Sequence, residues 1–180
     1  MRADARRNRE RILEAARAEF AQHGREAQMD DVARRAKLGV GTLYRHFPTK
    51  EALLEALAQD KFDRLQRAAL DALDVADPWE ALAGFVHRAA AQMVADRALH
   101  EAVQATNSRE AAERAGLVAS MATLIARGQA AGTVRPDLSV EDIPMFMCGL
   151  GSAINMAGGD DARWKRYLEL ALDGLRARPA

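Results

Sequence analysis

The stretch from Lys37 to Lys50, KLGVGTLYRHFPTK, constrains the fold of this chain more than any other. Just before it, four apolar residues at helical spacing predict a two-turn helix, namely Met29, Val32, Ala33 and Ala36. Residues 37–39 interrupt that pattern. Residues 40–47 then predict a second short helix, which Pro48 ends because proline keeps the preceding residue out of the α region. Two short helices joined by a tight turn predict a helix-turn-helix, whose second helix normally enters the DNA major groove.

The second of these helices carries side chains suited to contact with DNA. Its start, from Gly39 to Thr42, is small, so the helix N-terminus can approach a phosphate closely. Its exposed face carries Tyr44, Arg45 and His46. Arginine is well shaped to read guanine through two hydrogen bonds, whereas tyrosine, histidine and lysine suit phosphate contacts. The alternative interpretation is a surface helix pair with an ordinary charged face.

These residues resemble a known family. The run from Gly41 to Leu53, GTLYRHFPTKEAL, is similar to the signature of the TetR (tetracycline repressor) family of bacterial transcriptional regulators. The resemblance covers roughly residues 6–57, and its earlier matching positions are Ile12, Ala16, Phe20, Gly24, Val32 and Ala33. It implies an all-α fold with an N-terminal three-helix DNA-binding domain and a helical regulatory and dimerisation domain. It also implies effector-controlled repression by a homodimer.

The resemblance assigns candidate DNA-binding residues to this sequence. They are Gln28, Gly39, Val40, Gly41, Thr42, Tyr44, Arg45, His46 and Lys50. The sequence departs from the family pattern at two positions. Lys37 stands where glycine is usual and must accept the turn conformation at a steric cost. Gln28 stands where serine or threonine is usual, so the first helix of the motif loses about 1 kcal/mol of capping.

Composition and charge also place a DNA-binding module at the start of the chain. The sequence contains 39 alanines and only 5% aromatic residues, which favours helices almost throughout. The formal net charge is zero, yet residues 1–50 carry 12 Lys or Arg against 7 Asp or Glu, and residues 51–180 carry 14 against 19. Arginines crowd the N-terminus at Arg2, Arg6, Arg7, Arg9 and Arg11. Beside a helix-turn-helix we interpret them as phosphate contacts rather than as a solubilising helix end.

Capping signals divide the rest of the chain into helices. Thr49 begins a long helix over 49–73, which connects a DNA-binding domain (1–50) to a ligand-binding and dimerisation domain (51–180). Asp77 begins a helix over 78–96, and Ser139 with Asp142 begins one over 140–157. Further helices are predicted over 98–106, 109–131 and 161–178, which gives about nine helices in all.

The sequence does not indicate an enzyme. It contains no phosphate loop, nucleophile elbow, dinucleotide fingerprint or metal-ligand spacing, so no cofactor or metal is expected. His87 and His100 are predicted to make ordinary polar contacts, and Cys148 is predicted to be a buried small hydrophobic residue. No uncharged apolar run reaches the length of a membrane span, and the start of the chain lacks the apolar core of a signal peptide. These features predict a bacterial cytoplasmic, nucleoid-associated protein without a membrane partner.

Three partners are predicted. The first is double-stranded, pseudo-palindromic operator DNA. The second is another copy of the chain, joined through the helices over 140–157 and 161–178, where Gly149 and Gly151 leave a smooth strip. The third is a small-molecule effector of unknown identity, with the candidate residues Phe85, Met93, Met121, Met147 and Asn155. The alternative function is a dimeric helix-turn-helix DNA-binding protein without ligand control, although a pure DNA-packing protein should be basic throughout.

Overall fold

The computed structural model describes residues 2–95, 110, 112–113 and 115–177 and confirms the predicted all-α fold. The α-helices among these residues are α1 Arg2–His23, α2 Met29–Arg35, α3 Val40–His46, α4 Lys50–Leu73, α5 Pro78–Ala95, α6 Leu117–Ala130, α7 Ile143–Ala157 and α8 Asp161–Asp173. Short 3₁₀ turns at Gly24–Glu26 and Val140–Asp142 precede α2 and α7. Within the described ranges, an isolated bridge between Val134 and Arg176 is the one β contact. The helix predicted over 98–106 lies outside the described residues.

The described residues form two compact units, and the division falls within α4. Residues 2–62 and 110 build the first unit, and residues 63–95, 112–113 and 115–177 build the second. In the first unit, α1, α2, α3 and the start of α4 enclose one apolar core, which includes Ile12, Phe20, Val32, Leu43, Leu53 and Leu57. The helix-turn-helix therefore has a hydrophobic core of its own. The predicted domain boundary at residues 50 and 51 stays a prediction.

The second unit packs α5 against α6 and α7, and α7 against α8. Its core includes Leu82, Val86, Leu124, Leu150 and Leu168. Arg127 on α6 donates hydrogen bonds to the carbonyl oxygens of Leu73 (2.6 Å) and Val75 (2.8 Å). A cation at a helix C-terminus satisfies carbonyl groups that have no partner within the helix. Arg127 thus ties the end of α4 to α6.

Three helix starts follow the predicted capping signals. Thr49 Oγ1 accepts a hydrogen bond from a backbone N–H in the first turn of α4 (3.1 Å), and Asp77 Oδ1 does the same for α5 (2.9 Å). Ser139 and Asp142 form a capping box. The backbone N–H and the hydroxyl group of Ser139 both donate to the Asp142 carboxylate, which lowers the pKa of that carboxyl below its usual value. Because a cap involves neighbouring residues, the sequence alone was sufficient to place these starts.

Three predicted helices have different limits in the structure. The helix predicted over 140–157 begins with the 3₁₀ turn Val140–Asp142, and α7 starts only at Ile143. The helix predicted over 109–131 is interrupted at Gly116, which has a φ of +79°, and α6 begins only at Leu117. A left-handed residue does not continue a right-handed helix. The helix predicted over 161–178 ends at Asp173, because the backbone that follows it hydrogen-bonds to residues 133–135 instead.

The prediction that Cys148 is buried is wrong. Cys148 is exposed on α7, on the same face as Met145, Ser152 and Met156. The opposite face of α7 carries the buried residues Leu150 and Ile154. Because α7 is apolar around nearly its whole circumference, its sequence did not show which face packs against the rest of the second unit.

The predicted role of His87 is confirmed, since its Nε2 lies 3.3 Å from Glu169 Oε1 in an ordinary surface pair. His100 lies outside the described residues. None of the described helices is long and apolar enough to cross a membrane.

Candidate nucleic-acid interface

The second helix of the motif, α3, is anchored by two buried side chains and open elsewhere. Leu43 and Phe47, four residues apart, pack into the core of the first unit. The candidate DNA-binding residues Val40, Gly41, Tyr44 and Arg45 are exposed, and Thr42 and His46 are half-buried. A short helix held in this way can enter a groove with most of its circumference free.

The turn that leads into α3 is held from α1. Lys37 has a φ of +54°, and it is the one described residue other than glycine with a left-handed backbone. This agrees with the prediction that Lys37, which stands where the family usually has glycine, must adopt the turn conformation. A side chain in this conformation costs about 1–2 kcal/mol. Arg11 on α1 donates hydrogen bonds to the carbonyl oxygens of Ala36 (2.6 Å) and Lys37 (3.3 Å). The turn is therefore fixed by a charged donor despite its strain.

The protein's own packing does not require the two glycines at the start of α3. A Cβ atom added at Gly39 or Gly41 would meet no atom of the described residues within 4 Å. Neither residue has a positive φ. The absence of a side chain at these positions leaves room for a close external approach to the helix start.

Two other candidate residues lie at the ends of the motif. Gln28 occupies the N-cap position of α2 but does not cap it, and its side-chain amide donates instead to the carbonyl oxygen of Glu26 (2.7 Å). Lys50 opens α4, with its Nζ 5.7 Å from the centroid of the Phe20 ring. Both residues border α2 and α3, where the resemblance places contacts with DNA.

One buried carboxylate of the first unit is compensated internally. Glu19 accepts hydrogen bonds from Arg35 Nη1 (2.8 Å) and makes a second contact with His23 Nδ1 (3.1 Å). A buried carboxylate needs such partners because its desolvation is costly. This cluster stabilises the packing of α1 on α2 and lies outside the candidate DNA-binding residues.

The structure does not gather the candidate effector residues around one described cavity. Phe85, Met93 and Met121 are buried, Met147 is half-buried and Asn155 is exposed. The second unit has a cleft of about 340 Å³ beside Leu138 and Phe146, and another of about 240 Å³ beside Trp79 and His87. None of the candidate residues lines either cleft.

The N-terminal module is basic, and its helix α3 is exposed over most of its surface. Together these features define a helix-turn-helix DNA-binding protein. Residues 12–57 match the family model described as bacterial regulatory proteins, tetR family. Residues 77–177 match the model described as transcriptional regulator SbtR-like, C-terminal domain. The chain therefore belongs to the TetR family of transcriptional regulators, which are DNA-binding regulators and not enzymes.

Individual relatives agree with this assignment. The HTH-type transcriptional repressor KstR of Mycolicibacterium smegmatis is 47% identical over 70 residues, which is 36% of this chain and only 34% of KstR. A TetR transcription regulatory protein from Mycobacterium vanbaalenii is 37% identical, with a TM-score of 0.71 over 98% of this chain and 99% of that one. FadR from Bacillus subtilis, solved in complex with stearoyl-CoA, is 20% identical with a TM-score of 0.69 over 91% and 95%, and shows the fold alone.

Proposed function

We propose that this protein represses transcription by binding a pseudo-palindromic operator as a homodimer and is released by a small-molecule effector. The observation that carries the DNA-binding part is α3, which keeps its candidate residues accessible while Leu43 and Phe47 anchor it. In this proposal Arg45 reads bases, and Thr42, Tyr44, His46 and Lys50 mainly hold phosphates. Such a regulator works in the bacterial cytoplasm, on the nucleoid.

Replacing Arg45 by alanine tests the base-reading role. We expect a loss of about 1–3 kcal/mol in operator affinity and relaxed preference at one base pair in each half-site. Lys50→Ala is the matched comparison, because loss of a phosphate contact should weaken all sequences alike and flatten the salt dependence. Binding-site selection with randomised DNA measures both effects. An unchanged sequence preference for Arg45→Ala would rule out base reading by this residue.

The homodimer is supported by an apolar surface on α7 and α8. We call this surface the α7–α8 face and define it by Met145, Cys148, Ser152 and Met156 of α7 and Tyr167 and Leu170 of α8. Met145, Met156 and Leu170 are 77%, 80% and 60% exposed. Tyr167 Oη lies 3.7 Å from the position of a Cβ on Gly149, so the two helices contribute to one surface. Exposed apolar surface of this kind marks an interaction site.

Effector control is supported by the path from the second unit to the DNA-binding helices. The helix α4 runs without interruption from Lys50, a candidate DNA contact, to Leu73. Arg127 fixes the end of α4 to α6, so a displacement of α6 would change the constraint on α4. FadR, which shares this fold, was solved in complex with stearoyl-CoA, so a protein of this fold can bind a small molecule. Phe85, Met93, Met121, Met147 and Asn155 remain the residues that we propose to contact the effector, although they line neither described cleft.

Effector control predicts that the ligand and the operator oppose each other. A compound found by thermal-shift screening should bind the free protein more tightly than the operator complex. The ratio of these two ligand affinities must equal the factor by which the compound weakens operator binding, because linkage between two binding sites is reciprocal. A tenfold effect corresponds to about 1.4 kcal/mol. Equal affinities in the two calorimetric titrations would leave the alternative function, a dimeric DNA-binding protein without ligand control.

A further inference from the structure

The arginines of the first unit fall into two groups by their partners. Most of those with described side chains have a partner within the unit. Arg7, Arg34 and Arg35 pair closely with Asp4, Asp31 and Glu19, and Arg11 donates to the carbonyl oxygens of residues 36 and 37. Arg6 and Arg17 make longer ion-pair contacts with Glu10 (3.7 Å) and Asp60 (3.6 Å). Within residues 2–62, no carboxylate is in ion-pair contact with Arg9 or Arg45. Arg45 is the residue proposed to read bases. Among the N-terminal arginines that the sequence suggested as phosphate contacts, Arg9 is the one with a described side chain and no acidic or carbonyl partner in these residues.

Arg9 lies at the end of α3 although it belongs to α1. Its Cζ atom is 5.5 Å from the centroid of the Phe47 ring. Phe47 is the buried residue that follows α3, and it comes two positions after Arg45. Arg9 also precedes Ile12 and Leu13 by three and four residues, so it continues their stripe on α1 toward the helix start. The packing of α1 in the core therefore fixes where Arg9 stands.

The contact with Phe47 positions the guanidinium group without using its hydrogen-bonding capacity. A guanidinium carries five N–H donors in one plane, and a cation–π contact with a ring uses none of them. Arg9 is exposed, so these donors are accessible from outside the protein. When α3 occupies a major groove, the anions nearest to its ends are the phosphates that border the groove. Arginine matches phosphate geometry with paired donors.

We propose that Arg9 contacts an operator phosphate beside the α3 binding site. Arg6, Arg7 and Arg11, which the sequence also suggested as phosphate contacts, do not share this role because their side chains already have partners within the unit. The proposal rests on the proposed function, because it requires α3 to occupy the major groove. It assigns to one residue the phosphate contact that the arginine-rich start of α1 makes with DNA. A phosphate contact adds affinity and orientation but no base preference.

The test measures operator binding of the full-length protein across a range of salt concentrations. For Arg9→Gln we expect the slope of log K against log salt to fall by about 0.9 for each half-site, with an unchanged binding-site preference. Arg7→Gln is the matched control, since it removes the same charge from an exposed position of the same helix. Its slope should stay within error of the wild type. Arg9→Lys keeps the charge, so it should retain the slope and lose part of the affinity.

The outcomes separate this proposal from the proposed function. Equal slopes for the Arg9→Gln and Arg7→Gln proteins would overturn the assignment, and so would an altered preference at one base pair, which would make Arg9 a base-reading residue. In both cases the wild-type protein still selects a specific site, and the proposed function stands. A wild-type protein that selects no DNA sequence would defeat the proposed function itself. Thermal unfolding of each variant confirms that the effects arise in binding and not in folding.

Discussion

Replacing Leu170 by glutamate should abolish the homodimer and, with it, tight operator binding. Leu170 is 60% exposed on the α7–α8 face, where two-fold symmetry would place the same patch of each subunit against its partner. Each dimer would then bury two carboxylates among apolar side chains, and burial of an unpaired charge costs several kcal/mol. We expect dimerisation to weaken by about 100-fold or more, which is about 2.8 kcal/mol. Sedimentation velocity over a range of protein concentrations measures this change.

Leu70→Glu provides the control for the dimer prediction. Leu70 is 48% exposed on α4, outside the α7–α8 face, so the same substitution there should leave the dimer intact. The Leu170→Glu protein should also bind the operator weakly, because a monomer reaches only one half-site at a time. A monomeric wild type, or a Leu170→Glu protein that dimerises as well as the Leu70→Glu protein, would contradict this interface.

The second large effect is expected at Gly128, within α6. A Cβ atom at this position would lie 2.3 Å from Val134 Cγ2, closer than side-chain carbons approach one another. Val134 is buried and has little freedom to move, because its backbone N–H donates to the carbonyl oxygen of Gly128 (3.1 Å) and it bridges to Arg176. Gly128→Ala should therefore lower the free energy of unfolding by about 1–3 kcal/mol through overpacking.

Gly84 offers a matched comparison in α5. Among the described residues, a Cβ atom there would meet only Arg88 Nη1, at 3.8 Å, so alanine fits without displacement. Alanine is favoured over glycine in a helix interior by about 1 kcal/mol, and Gly84→Ala should raise the free energy of unfolding by up to that amount. Chemical denaturation measures both variants. If the two substitutions changed the free energy of unfolding in the same direction, the close approach of Val134 would not explain why position 128 requires glycine.

Local chemistry explains why the sequence predicted the DNA-binding helices well. The apolar spacing of the motif predicted α2 and α3, and the proline after Phe47 predicted the end of α3. The caps at Thr49 and Asp77 likewise predicted where α4 and α5 begin. Each of these signals acts between residues a few positions apart, so the residues themselves contain the information.

The limits of other elements depend on contacts between distant residues. The end of α8 is set by residues 133–135, which take up the backbone after Asp173, and no pattern near Asp173 announces that pairing. The requirement for glycine at position 128 comes from Val134, on the chain that turns back after α6. Arg9 has Phe47 as its partner, 38 positions away in the sequence. Only the packed structure brings these groups together.

The sequence by itself determined the family, the helical fold and the open recognition helix, because these follow from short-range spacing and from residue types that suit DNA. The tertiary structure decided which apolar residues are covered. Met156 and Ile154 lie on the same helix, and Met156 is exposed while Ile154 is buried. Hydrophobicity predicts that a side chain will leave water but does not specify the surface that covers it. That surface is supplied by α5 and α8 for one face of α7, and we propose that a second subunit supplies it for the other.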